Sequence, residues 1–466
     1  MIKKNGTIGY RAMSLGLCIA ILTGGAAQAE SLESALVSAY LNNPILQAQR
    51  AGLRATDEDV AQALSGYRPS ISGNASIDHN ESDNFFAMAD DGSMEPTDPT
   101  DVLTAKRYGV TIDQPVFRSF RTVNSVKEAK TRVFAGRAQL TSVEQDVLLA
   151  TVAAYVDVVR DQAVLELRRN NVQVLGRQLE ASQDRFEVGE ITRTDVAQSE
   201  ARRAGAVSGR IAAEAALAAS RAAYVRIVGN APGTLEQPPE LPILPASEEA
   251  ALQIALMENP VLEAARLAEQ ASGHAVSAAK SELGPEISVS ARYSRDVDTF
   301  VDGFASDTKA IMASASIPIY QSGAVSSRIR QAKQIKSQRR IEVLQAERET
   351  REDVRNAWEN LRASTSTIGA NEAQVEANNI ALEGVRQEAD VGSRTTLDVL
   401  DAEQELLDSQ VELVRAQRDE YVAAFALLVS MGRATAAALN LPVEQYNPNE
   451  NYDRARNTWF GWSVGD

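Results

Sequence analysis

Asn43-Pro44-Ile45-Leu46 and Asn259-Pro260-Val261-Leu262 are one phrase written twice, 216 residues apart, and that repetition decides the fold. The offset holds through Arg50 and Arg266, Pro69 and Pro285, and Ile71 and Ile287. From Gln114-Pro115-Val116 onward, aligned with Ile317-Pro318-Ile319, the offset becomes 203 and then runs unbroken. Tyr155 aligns with Trp358, Val188-Gly189 with Val391-Gly392, Asp195-Val196 with Asp398-Val399, and Gly229 with Gly432. The difference of 13 residues falls between positions 78 and 115, so one loop is longer in the first copy. Register kept over so long a stretch means duplication of one structural unit.

Within each copy the local signals are consistent. Asn followed by Pro caps and opens a helix; each such helix runs about 20 residues and stops before Pro69 or Pro285. Ile71, Gly73, Ala75 and Ile77 then alternate with Ser70, Ser72, Asn74 and Ser76, and Ile287, Val289, Ala291 and Tyr293 alternate with Ser288, Ser290 and Arg292. Tyr108, Val110 and Ile112 form a return stretch, as do Ile311, Ala313, Ala315 and Ile317. Period-two alternation predicts strands that are apolar on one side only. Acidic loops are expected over 80–106 and 296–307. The cluster Asp90, Asp91, Glu95, Asp98 and Asp101 matches no calcium-loop spacing and reads as a solvated surface.

The rest reads as helix. No proline occurs between Pro115 and Pro232, or between Pro318 and Pro442. A helix from about residue 120 to 186 would span ~100 Å, longer than any single globular core. Leu148, Val152, Tyr155 and Val159 step along a coiled-coil-like seam, and so do Leu400, Leu407, Val411, Val414 and Tyr421. Such a stripe reads as packing. Each long helix ends at a glycine, Gly189 or Gly392, where a left-handed residue terminates a helix without strain. Thr192-x-x-Asp195 and Thr395-x-x-Asp398 have the capping-box pattern that starts the next helix. Each copy therefore makes a helical hairpin with a tight tip.

Composition narrows the function. Residues 1–29 read as a secretory leader, with Lys3, Lys4 and Arg11 before the apolar stretch 15–22 and Ala27-Gln28-Ala29 at its end. The mature chain is expected to begin at Glu30. The single cysteine, Cys18, lies inside that stretch behind Leu17, where a lipid-attachment site needs a small residue, so no anchor and no disulfide are expected. The formal charge is −16, or −19 without the leader, which disfavours nucleic acid. Beyond the leader the longest apolar run, 422–431, is far short of the ~20 residues a spanning helix needs. His79 and His274 have no second histidine or cysteine nearby in sequence, and no phosphate loop or nucleophile elbow occurs. No catalytic site, metal or cofactor is expected.

Four one-sided strands cannot close a barrel alone, since open edges are not tolerated in lipid and membrane barrels need at least about eight strands. Two copies would supply eight strands, which leave little lumen, and three would supply twelve, which could enclose a water-filled passage; the strand count alone favours three over two only weakly. Arg185-Phe186-x-x-Gly189 with Thr194-Asp195-Val196, and Val391-Gly392-x-Arg394-Thr395-x-x-Asp398-Val399-Leu400-Asp401-Ala402, resemble the paired tip motifs of the TolC family of outer-membrane efflux proteins. The end, from Asn440-Leu441-Pro442-Val443 through Tyr446-Asn447-Pro448 to Trp459-Phe460-Gly461, resembles that family's α-proteobacterial branch.

The resemblance spans essentially residues 31–462. It implies a mainly α fold with a small β part, in which a duplicated unit of long coiled-coil-like helices carries four membrane strands per chain. A homotrimer would form a twelve-stranded barrel in the outer membrane, continued by an α-helical tunnel through the periplasm. The layout would be a first repeat at 30–229, a Pro-rich linker at 230–246, a second repeat at 247–432 and a C-terminal segment at 433–466. Linker and C-terminal segment would form an equatorial belt. Implied partners are a periplasmic adaptor, an inner-membrane transporter of the RND or ABC type, and outer-membrane lipid.

Asp398 and Asp401 match the family's entrance carboxylates, although both also suit a helix N-terminus electrostatically. Arg394 matches the arginine that links to the neighbouring tip, here Thr194 and Asp195, to hold the entrance shut. Ala389 departs from the family, where a tyrosine adds a second link. Val188, Gly189, Val391 and Gly392 match adaptor contacts. A soluble periplasmic coiled-coil protein is the alternative reading; it lacks a use for paired one-sided strands in both halves.

Overall fold

The computed structural model describes residues 30–83, 87–88, 90–95, 100–299 and 302–463. The leader expected at 1–29, with Cys18, lies outside them, as does Asp98. In chain order the elements are α1 Leu32–Asn42, α2 Pro44–Ser65, β1 Ser70–Asp83, β2 Ala87–Met88, β3 Met94–Glu95, β4 Thr100–Arg118, α3 Arg121–Glu187 and α4 Arg193–Val228. The second copy follows as α5 Glu248–Glu258, α6 Pro260–Ser281, β5 Glu286–Val297, β6 Ala305–Ser316, α7 Ala324–Asp390 and α8 Thr396–Ser430. The short α9 Pro448–Asn457 comes last.

The two halves match element for element. Asn43 and Asn259 cap α2 and α6 by accepting from the amides of Ile45 and Val261, each at 2.9 Å. Their side-chain amides reach the carbonyls of Ile227 and Ser430, both at 2.9 Å, fastening each short helix to the end of a long one. α3 and α7 are each 67 residues long, about 100 Å, uninterrupted because nothing in them breaks the hydrogen-bond ladder.

The main sheet has the order β1-β4-β5-β6, antiparallel throughout. Ile71, Ile112, Ala291 and Ile311 stand in one row across it, and Gly73, Val110, Tyr293 and Lys309 in another. Direct partners share a face, so the sequence alternation becomes one apolar surface. Ile71 is 70% and Ile311 82% exposed, so that surface has no cover within the chain. Among the described residues, β1 and β6 each pair along one edge alone.

The strands extend beyond the sequence reading. Residues 80–83, expected in a loop, pair with 100–103, and 296–297 pair with 305–306. Backbone ladders continue past the point where side chains cease to alternate, because the outer ends of the strands leave the apolar zone.

The core lies halfway along the long helices. Leu148, Val152, Tyr155 and Val158 of α3 meet Leu217, Tyr224 and Val228 of α4 and Phe425, Leu427 and Leu428 of α8. α1, α5, Leu235, Leu241 and residues 434–446 close over that cluster. The seams read from sequence are largely buried: Leu148, Val152 and Tyr155 are fully inaccessible and Leu400, Leu407, Val411 and Tyr421 nearly so, while Val159 and Val414 are half-buried. Glu30 ties the linker here. Its amide donates to the Thr234 carbonyl (2.8 Å), its own carbonyl accepts from Tyr155 Oη (2.8 Å), and its Oε1 accepts from Tyr224 Oη (2.7 Å). Burial, aided by the neighbouring Glu236, pushes the Tyr155 phenol up to about 12, so it stays a donor at all physiological pH.

Candidate functional site at the hairpin tips

At the far end of the long helices from the sheet, two tips are built on one plan. Gly189 (φ 82°) and Gly392 (φ 76°) take the left-handed conformation that turns the chain. Glu190 N–H donates to the Arg185 carbonyl and Ser393 N–H to the Glu388 carbonyl, each at 2.9 Å, satisfying equivalent orphan carbonyls. Val188 and Val391 stand at the apexes, 78% and 79% exposed.

Both capping boxes form. Thr192 N–H donates to Asp195 Oδ2 at 2.9 Å and Thr395 N–H to Asp398 Oδ2 at 2.9 Å, with the threonine hydroxyls adding bonds of 2.8 Å. The Thr192 hydroxyl and amide hold the Asp195 carboxyl below the usual range, and the Thr395 amide and hydroxyl do the same for Asp398.

The tips differ in polarity. In the first, the cation sits on the helix and the anion in the turn: Arg185 with Glu190, 2.6 Å. In the second the order reverses: Arg394 of the turn pairs with Glu388 of the helix, 2.8 Å. Arg394 thus stays within its own hairpin in this chain, while Asp195 is committed to Thr192. Thr194 is exposed beside it.

Asp398 and Asp401 occupy the first turn of α8 but have different partners. Asp398 caps the helix; Asp401 pairs with Arg202 of α4. Beneath that pair Leu400 packs on Leu175 of α3 and Ala206 of α4, which sets the crossing of the two hairpins. At the same level Arg386 of α7 pairs with Glu403 of α8, and further up Arg418 of α8 reaches Asp157 of α3 at 2.7 Å. Sequence reading missed Arg202 and Glu388. Glu388 was within reach, since the 203-residue offset places it opposite Arg185. Arg202 carries no local signal.

Elsewhere, Asp91 of the acidic loop accepts from the Ser93 amide (2.9 Å) and hydroxyl (2.6 Å), so it serves a turn. His79 lies 3.0 Å from Thr104 across the β1–β4 ladder.

A one-sided sheet at one end, 67-residue helices and paired tips at the other are features shared with known proteins. The sequence matches the outer membrane efflux protein family over residues 35–230 and 251–433. The chain belongs to that family. It is 39% identical over 447 residues to the outer membrane efflux protein BepC of Brucella suis, covering 96% of this chain and 95% of that one. It is 28% identical over 419 residues to the outer membrane protein TolC of Vibrio cholerae, covering 87% and 91%. In fold it matches the crystal structure of the Campylobacter jejuni CmeC outer membrane channel with a TM-score of 0.76 at 14% identity, over 97% and 98% of the chains. The protein is an outer-membrane channel of the efflux and secretion class: its strands lie in the outer membrane and its helices form a periplasmic tunnel.

Proposed function

We propose that three copies assemble into one duct, their four-stranded sheets joining edge to edge into a twelve-stranded barrel. The observation that carries this reading is the sheet itself, with an apolar face uncovered and β1 and β6 unpaired outward. In lipid those edges demand partners. The long helices then enclose a passive conduit, and a separate transporter of the RND or ABC type supplies energy. A periplasmic adaptor docks on the tips through Val188, Gly189, Val391 and Gly392, whose exposed valines offer apolar anchors on rigid turns. Asp398 and Asp401 of three chains place six carboxylates at the mouth, favouring cations and binding multivalent ones. The closed state is held when Arg394 exchanges Glu388 for Thr194 and Asp195 of the neighbouring protomer.

Planar-bilayer recording of the purified assembly tests this. Detergent-resistant trimers should conduct, trivalent cations added on the tip side should block, and Asp398→Ala with Asp401→Ala should abolish the block. A monomeric, non-conducting protein overturns the duct; unchanged block in the double variant overturns the carboxylate ring.

A further inference from the structure

Two of the chain's three tryptophans fall within its last eight residues, as Trp459-Phe460-Gly461-Trp462. We propose that this segment is a membrane-interface anchor, seated among the phospholipid headgroups of the leaflet that faces the periplasm.

The path of the chain leads there. After packing on the central core it follows α2 toward the sheet, held at each step by an arginine against an aromatic ring. Arg50 of α2 lies 5.2 Å from the Tyr446 ring, and Tyr446 N–H donates to Tyr40 Oη at 3.0 Å. Arg137 of α3 lies 5.4 Å from the Tyr452 ring and donates to the Pro448 carbonyl at 3.3 Å. Asn451 donates to Asp57 Oδ2 at 2.8 Å. Arg68 then stacks on Trp459 at 4.6 Å, its two Nη atoms donating to the carbonyls of Thr458 (3.1 Å) and Arg456 (3.3 Å). Guanidinium–indole stacking and two backbone bonds fix the tryptophan at that level.

That level is the rim of the barrel. Arg68 stands three residues before Ile71, the first residue of the apolar face on β1. At no more than ~3.3 Å per extended residue, the Arg68 backbone lies within about 10 Å of the edge of that face, and Trp459 stacks on its side chain. Tryptophan is enriched at such a boundary, because its ring is apolar and its N–H needs a wet partner. Trp459 is 61%, Phe460 90% and Trp462 99% exposed, so apart from the Arg68 stack on Trp459 the described residues leave them uncovered. Arg68 and Arg456 flank the aromatics in a chain of net charge −16, a local reversal that suits phosphate groups. The lipid surface that already covers the sheet is continuous with this patch.

The anchor rests on the outer-membrane location and not on the number of chains in the duct. To test it, the full chain carrying Trp358→Phe, with Trp459 and Trp462 as its remaining tryptophans, is reconstituted into phosphatidylethanolamine–phosphatidylglycerol vesicles. The vesicles contain phospholipid brominated either near the glycerol end or near the tail end of the acyl chain. More than half of the emission should be quenched by the shallow bromines and less by the deep ones. Quenching should be absent in detergent without brominated lipid. Blue-shifted emission that no bromine quenches means another protein surface, such as a second copy, covers the segment, and overturns the proposal; so does unquenched, water-like emission. Should Trp358→Phe fail to assemble, the difference between the unaltered chain and Trp459→Phe/Trp462→Phe reports the same quenching. Ion flux from the same vesicles reads the duct separately.

Discussion

Replacing Arg202 by alanine should make the channel more cation-selective, by an amount the geometry fixes. Arg202 is the partner of Asp401, and the two side chains are 39% and 54% exposed, so water screens them. Two unit charges 4 Å apart in water interact by about 1 kcal/mol, and at twice that distance by about half as much. Unmasking one carboxylate therefore enriches potassium beside it about two- to fivefold, and the proposed trimer would place three such carboxylates around one mouth. Reversal potentials in planar bilayers under a potassium chloride gradient measure this directly. At about 0.1 M salt the potassium-to-chloride permeability ratio should rise about two- to fivefold. In about 1 M salt, where the screening length is ~3 Å, the change should largely vanish. Arg202→Lys should behave like the unaltered chain, Asp401→Asn should lower the ratio by leaving Arg202 uncompensated, and the double variant, which removes both charges, should resemble the unaltered chain. Unchanged selectivity at low salt, or a change that persists undiminished at high salt, would refute the reasoning.

Arg394→Ala should raise open-state current, and an unaltered current counts against the latch. Gly432→Ala should lower thermal stability by more than about 2 kcal/mol, because a Cβ there would sit 2.3 Å from the Glu258 carbonyl oxygen and φ is already +84°. Gly229→Ala, at the equivalent position of the first copy, meets only Asn42 Cβ at 3.9 Å and should cost the left-handed strain alone, about 1–2 kcal/mol; equal melting points for the two variants would contradict this. The caps at Asp195 and Asp398 should be insensitive to mild acid. Their carboxyls are held low in the folded chain, so their contribution is present above the unfolded value of about 3.9 and lost as pH falls through the lowered one. Amide-exchange protection of the first turns of α4 and α8, corrected for intrinsic rates, should match at about pH 7 and about pH 5; loss by pH 5 would sink the assignment.

What sequence could and could not disclose follows from the range of each interaction. The capping boxes were legible because Thr192 and Asp195, or Thr395 and Asp398, are three residues apart and interact within one turn. The long helices were legible because proline is absent and the apolar seam repeats. Strand ends were misplaced because residues 80–83 no longer alternate, though their backbones still pair. Arg202 was invisible as the partner of Asp401: 199 residues separate them, and only the crossing of α4 and α8 brings them together. The aromatic end was plain in the sequence, but its path along α2 depends on Arg50, Arg137 and Arg68, each in a different local context.

The outward-facing edges of β1 and β6 also bear on inheritance and dosage. In the proposed three-chain duct each subunit grips the next and no weak member is tolerated, so one chain with a spoiled outer strand would ruin the two sound ones it joins. In a cell making good and bad versions in equal amounts, only about one in eight assemblies would be free of the bad one. Lesions in those two strands should therefore be dominant, whereas lesions confined to an exposed tip should be diluted by sound neighbours.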